Sequence, residues 1–147
     1  MAALRSQRIE VVVELARRKL NDAALALRQQ QDILNGEKKR HHELRDYYHH
    51  YIELFGAKNV GLRGAQIGES RKFLGQMAKA IEGQGYQVER VEYQLAQLQA
   101  AWHSCYLKVQ SLTDLQSRYR VEEAMNRDAL EQAAVEEWVT LRSNRTP

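Results

Sequence analysis

Proline is almost missing from this chain of 147 residues: the one example is Pro147. Proline fixes φ and removes a backbone donor, so its scarcity leaves long stretches without an obligatory helix breaker. A compact mixed fold needs many turns, and turns recruit proline as well as glycine. Here one stretch has turn composition, FGAKNVGLRGAQIG at residues 55–68. Cysteine occurs once, as Cys105. That excludes an intrachain disulfide and a cysteine-rich zinc site, and it fits a reducing compartment. Aromatics make up 7%, and although the 44% apolar content is close to the globular average, much of it is alanine and leucine, a lean content that suits two helices lying side by side. No apolar run approaches the roughly 18 residues that would suggest a membrane span. The first residues, MAALRSQRIEVVVELARRK, interleave charge with apolar positions and do not read as a secretory signal. Charge of one sign is also lacking. The 22 Lys and Arg against 19 Asp and Glu give a net +3, spread along the chain, without the dense basic stripe of a DNA binder.

What the chain does have is a repeat. Alternating steps of four and three select Ile9, Val13, Ala16, Leu20, Ala23, Leu27, Gln30, Leu34, Glu37, His41, Leu44, Tyr48, Tyr51 and Phe55. A mean spacing near 3.5 residues is the seam of a left-handed coiled coil. Gln30, Glu37 and His41 thin the middle of this seam; they either set register or lie at its wet edge. Past the turn, with Ser70 as the expected cap, the same stepping gives Leu74, Met77, Ile81, Gln84, Val88, Val91, Leu95, Leu98, Trp102, Cys105, Val109 and Leu112. The fold expected is all-α: one long antiparallel two-helix coiled coil, a helical hairpin, with helices over about 6–54 and about 69–142. Ser6 is the expected cap of the first helix.

After Leu112 the phase lands on Gln116, Tyr119, Glu123 and Asn126, while apolar residues shift to Leu115, Met125, Ala129, Trp138 and Leu141. If facing residue numbers add to roughly 122, Ile9 lies opposite Thr113. The sequence therefore predicts an unpaired helical overhang from about residue 115 to residue 147. Gly75, Gly83 and Gly85 lie within the second helix; the GQG at 83–85 reads as a bend, a break, a site of close approach, or glycines that a packed helix tolerates.

Chemistry has little to stand on. His41, His42, His49 and His50 form adjacent pairs whose side chains point about 100° apart, which suits a solvated helix surface better than a metal ion. Cys105 falls on the apolar seam and reads as a small hydrophobe. GAKNVGLRG lacks the ending of a phosphate-binding loop, and no strand precedes it. No enzyme activity, metal or cofactor is expected. More informative is RDYYHHYIELF, which places Tyr47, Tyr48 and Tyr51 within about one turn. Tyr48 and Tyr51 belong to the seam. Tyr47 stands beside it, as Phe73 stands beside Leu74. Each aromatic alone could serve packing against the returning helix; two off-seam aromatics on facing stretches suggest a composite binding patch.

DYYHHY at the end of the first helix, KFLGQMAKAIE at the start of the second, the Trp102 region and LQSRY at 115–119 together resemble the flagellar export protein family FliJ over nearly the whole chain. The resemblance implies a stalk-like coiled coil of the type III export apparatus, similar to the central stalk of rotary ATPases. The implied partners are the hexameric export ATPase, the transmembrane export gate protein and export chaperones, and the implied location is cytoplasmic, peripheral at the inner membrane. The family's gate-binding patch falls on Arg40, Leu44, Tyr47, Tyr51, Phe73, Met77, Ala80 and Gln84. Arg40 replaces a neutral amide there and Gln84 a histidine. ATPase binding is expected at the free ends, through Arg5, Arg8, Met125, Trp138 and Leu141. The alternatives are a plain coiled-coil adaptor or chaperone, the equivalent stalk protein of a virulence-type injection system, and, as a third, a nucleic-acid binder.

Overall fold

The structure is a computed structural model that describes residues 3–57 and 64–145. Two helices account for nearly all of these: α1, Arg5–Ala57, and α2, Gly64–Arg145. They form the antiparallel two-helix hairpin that the repeat predicts. Residues 55–57 and 64–68, read from sequence as turn, are helical, and Ser70 lies inside α2 instead of capping it. The rest of the expected turn, 58–63, lies outside the described residues. Gly83 and Gly85 do not break α2, which is continuous through them. A Cβ on Gly85 would meet His41 Nε2 at 3.5 Å, an ordinary contact, and one on Gly83 would meet nothing. No close approach explains either glycine.

The chain divides into two compact units, residues 23–102 and residues 1–22 with 103–147. In the first, Leu34, Val91 and Leu95 form a buried cluster, with Leu27 and Val88 packed on it. Leu98, expected in the core, is half-buried. The polar seam positions resolve into register devices. Gln30 Nε2 donates to the Val91 carbonyl (3.4 Å) and to Gln94 Oε1 (3.1 Å). Gln84 Nε2 donates to the Glu37 carbonyl at 3.2 Å and to the Glu37 carboxylate. The backbone acceptors repeat along the helix, but the side-chain partners, Gln94 and Glu37, stand opposite the two glutamines in one register only. At the flank, Lys38 Nζ lies 3.7 Å from Glu92, an exposed pair of small energetic weight.

The second unit is held differently. Val13 is fully buried and Ala16 nearly so, but the other buried side chains are polar, Ser6 and Gln116. Gln116 Nε2 donates to the Ser6 carbonyl (3.2 Å) and to the Glu10 carboxylate. Ser6 N–H donates to Glu123 Oε1 at 3.0 Å, and Ser6 Oγ donates to Glu123 Oε2 at 2.6 Å. Arg120 adds an ion pair to Glu10 at 3.5 Å. Two sequence expectations change here. Ser6 is not the cap: the first-turn hydrogen bonds accept at Leu4 O, Gln7 reaches back to Leu4 N–H, and Glu123 of α2 takes the Ser6 N–H from across the seam. The overhang does not begin at 115, because Gln116, Tyr119 and Glu123 keep the heptad phase and are paired with or packed on the start of α1. Every residue from Met125 to Arg145 is exposed, so the unpaired stretch starts about ten residues later than the loss of apolar phase suggested.

Candidate interaction surfaces

The residues of the expected gate patch lie in the unit 23–102, and they divide by burial. Tyr47 is 55% exposed, Phe73 is 38% exposed, and Arg40 and Ala80 are also exposed. Leu44 and Tyr51 are half-buried. The Tyr51 and Phe73 rings meet across the two helices, with centroids 4.9 Å apart and planes tilted by 59°. Phe73 therefore contributes to helix pairing, the role that the sequence left open for each aromatic alone, as well as to the surface. Met77 is 8% exposed and belongs to the seam, which leaves it little area for a partner. The Gln84 amide is occupied by Glu37. The surface that remains is Arg40, Tyr47, Phe73 and Ala80, with edges of Leu44 and Tyr51.

Sequence reasoning missed two residues on the same face of α1. Ile33 and Leu54 stand seven residues from Arg40 and Tyr47, and both are exposed. The signal was available: a row in steps of seven, Ile33, Arg40, Tyr47, Leu54, runs parallel to the seam and beside it.

The residues of the expected ATPase surface lie in the other unit. Met125, Trp138 and Leu141 are each more than half exposed, as are Val121, Leu130, Val135 and Val139. At 100° per residue, Val121, Met125, Val135 and Val139 share one side of the helix, Leu130 and Leu141 lie on the opposite side, and Trp138 stands between the two rows. Both rows face solvent, and apolar side chains of this size are ordinarily covered by a partner. Arg142 sits over the Trp138 ring, 5.2 Å from its centroid. Arg5 and Arg8 are exposed, and Arg5 lies over Tyr119 at 5.8 Å.

The Glu123 carboxyl is held below the usual glutamate range, first by the Ser6 hydroxyl and backbone N–H that donate to it, then by Arg120 and Arg127. Tyr86 is raised, because its hydroxyl donates to Glu82 (3.1 Å) and ionisation would set two negative charges together. Neither group faces a catalytic partner. His42 Nε2 lies 3.1 Å from Asp46 on an exposed face. Among the described residues, no group of three or more His, Cys, Asp or Glu could hold a metal ion, and no helix is long and apolar enough to cross a membrane. Cys105 is half-buried on the seam.

No curated protein and no solved structure matches the chain. The sequence profile of the family described as flagellar FliJ protein matches residues 5–147. The match spans both helices and both surfaces described above, and the chain belongs to the flagellar FliJ protein family.

Proposed function

We propose that this protein is a soluble component of the flagellar type III export apparatus, a stalk-like coiled coil that links the hexameric export ATPase to the transmembrane export gate and escorts export chaperones. Family membership ties the chain to flagellar export machinery in general and to a family that is not one of enzymes. The observation that carries the finer reading is the exposed end of α2. From Met125 to Arg145 every residue is exposed, and the stretch bears apolar rows on two opposite sides. A helix of that kind suits a partner that contacts it from more than one direction, as a ring of subunits does. The exposed residues around Tyr47 and Phe73 belong to the other unit and support a second partner, the gate. Its place in the cell is then the cytoplasmic face of the inner membrane, held there by protein contacts.

The reading is tested by removing residues 127–147 and measuring stimulation of the purified export ATPase. The shortened chain retains Gln116 and Glu123, so its hairpin should stay intact. Loss of stimulation is the expected result. Full stimulation by the shortened chain would place the ATPase contact elsewhere.

A further inference from the structure

The start of α1 and the facing turn of α2 carry three carboxylates and an unusual division of their partners. Glu123 is taken by Ser6, and Glu10 by Gln116 and Arg120. Among the described residues, Arg5 and Arg8 draw no ion pair. Arg5 and Arg8 line a shallow hollow of ≈ 390 Å³ with Tyr119, Asn126, Glu122 and Glu123, and neither glutamate forms an ion pair with them. Tyr119 occupies a seam position and is half-buried, so its ring is held by helix packing. Arg5 rests over that ring at 5.8 Å.

A long arginine side chain at a helix end ordinarily samples many rotamers, and fixing it opposes binding. The cation–π contact with Tyr119 removes part of that freedom. The guanidinium N–H groups, which no carboxylate of the described residues takes in an ion pair, keep the fork geometry that matches a carboxylate. Arg8 brings a second cation to the same hollow. We infer that Arg5 and Arg8 form a receptor for a carboxylate side chain of the partner that engages this end of the chain, with Tyr119 as the positioning residue that presents Arg5. The inference rests on the proposed contact with the export ATPase and adds the chemistry at one point of it: an Asp or Glu of the partner, received in the hollow, distinct from the apolar area buried by Trp138 and Leu141.

The test measures the affinity of the full-length chain for the purified export ATPase across a series of salt concentrations. R5Q/R8Q removes both charges without introducing repulsion toward Glu122 and Glu123. It should bind about tenfold more weakly at low salt, with a flatter salt dependence and an unchanged melting temperature. R5K keeps the charge and loses the planar fork; it should retain the salt dependence and lose part of the affinity. Tyr119→Leu keeps an apolar side chain in the seam and should reproduce the R5K affinity, a result that a packing role alone would not give. If R5Q/R8Q binds as tightly as the parent with the same salt dependence, while the chain lacking residues 127–147 does not bind, the carboxylate receptor is wrong and the ATPase contact stands. If the parent itself does not bind the ATPase, both fail.

Discussion

At the scale of single residues, glutamine and glutamate do work that polarity alone misrepresents. Gln30, Glu37 and Gln84 thin the apolar seam when judged by hydropathy, yet each finds a specific partner on the opposite helix. Gln116 and Glu123 are the sharper example. A heptad count registers them as the end of the seam, because a count sees that a residue is polar and not which atoms it will meet. Their partners, Ser6 and Glu10, lie more than one hundred positions away in sequence. Glu123 also carries a pH signature. A carboxyl whose pKa is depressed in the folded state contributes stability above its unfolded pKa and loses it as pH falls through the folded value. The parent should therefore lose thermal stability as pH drops below the usual glutamate range, and E123Q should show a shallower acid limb. Melting curves over an acidic pH series check this; identical acid limbs would mean that Glu123 does not clasp α1. Burial gives a second residue-scale expectation. Leu95 is in the buried cluster and Leu98 is half-buried. Leu95→Ala should destabilise by about 2–4 kcal/mol and Leu98→Ala by less, as measured by chemical denaturation.

At the scale of elements, the helices were legible because their cause is periodic and local. A seam that keeps phase from Ile9 to Phe55 specifies one face of one helix, and the absence of internal proline lets that helix run. The ends were less legible, since helix termini depend on caps that the other helix can provide. Glu123 caps from across the seam, and no local capping box announces it. The Tyr51–Phe73 contact was hidden for a related reason: an off-seam aromatic can pack or project, and sequence does not distinguish the two. The paired and unpaired parts of α2 should separate energetically. Removal of residues 127–147 should change stability by no more than about 0.5 kcal/mol, because the side chains of residues 127–145 are exposed. Deletion of residues 1–8, which removes Ser6, should lower the melting temperature clearly. Circular dichroism melts of the two truncations distinguish the clasp from a frayed end; equal effects would contradict the assignment of Glu123 and Gln116 to helix pairing.

At the scale of the whole molecule, the proposed function lies in surfaces. Family membership and hairpin architecture could be reached from the repeat, the scarce proline and the quoted motifs. The composition of the surfaces could be reached only in part: Met77 and Gln84 fall both on the seam and in the implied patch by sequence, and the structure shows them buried or paired, while Ile33 and Leu54 are exposed in the row of Tyr47. The central claim is that two separate surfaces serve two partners. Its most direct test is a paired binding measurement. The chain lacking residues 127–147 and the variant Tyr47→Ala are each assayed for ATPase stimulation and for capture of the export gate protein. The truncated chain should lose ATPase stimulation and keep gate capture; Tyr47→Ala, exposed and outside the seam, should do the reverse while keeping its helicity. If either variant loses both activities while folded, or if both variants retain both, the chain does not divide its partners between these two surfaces.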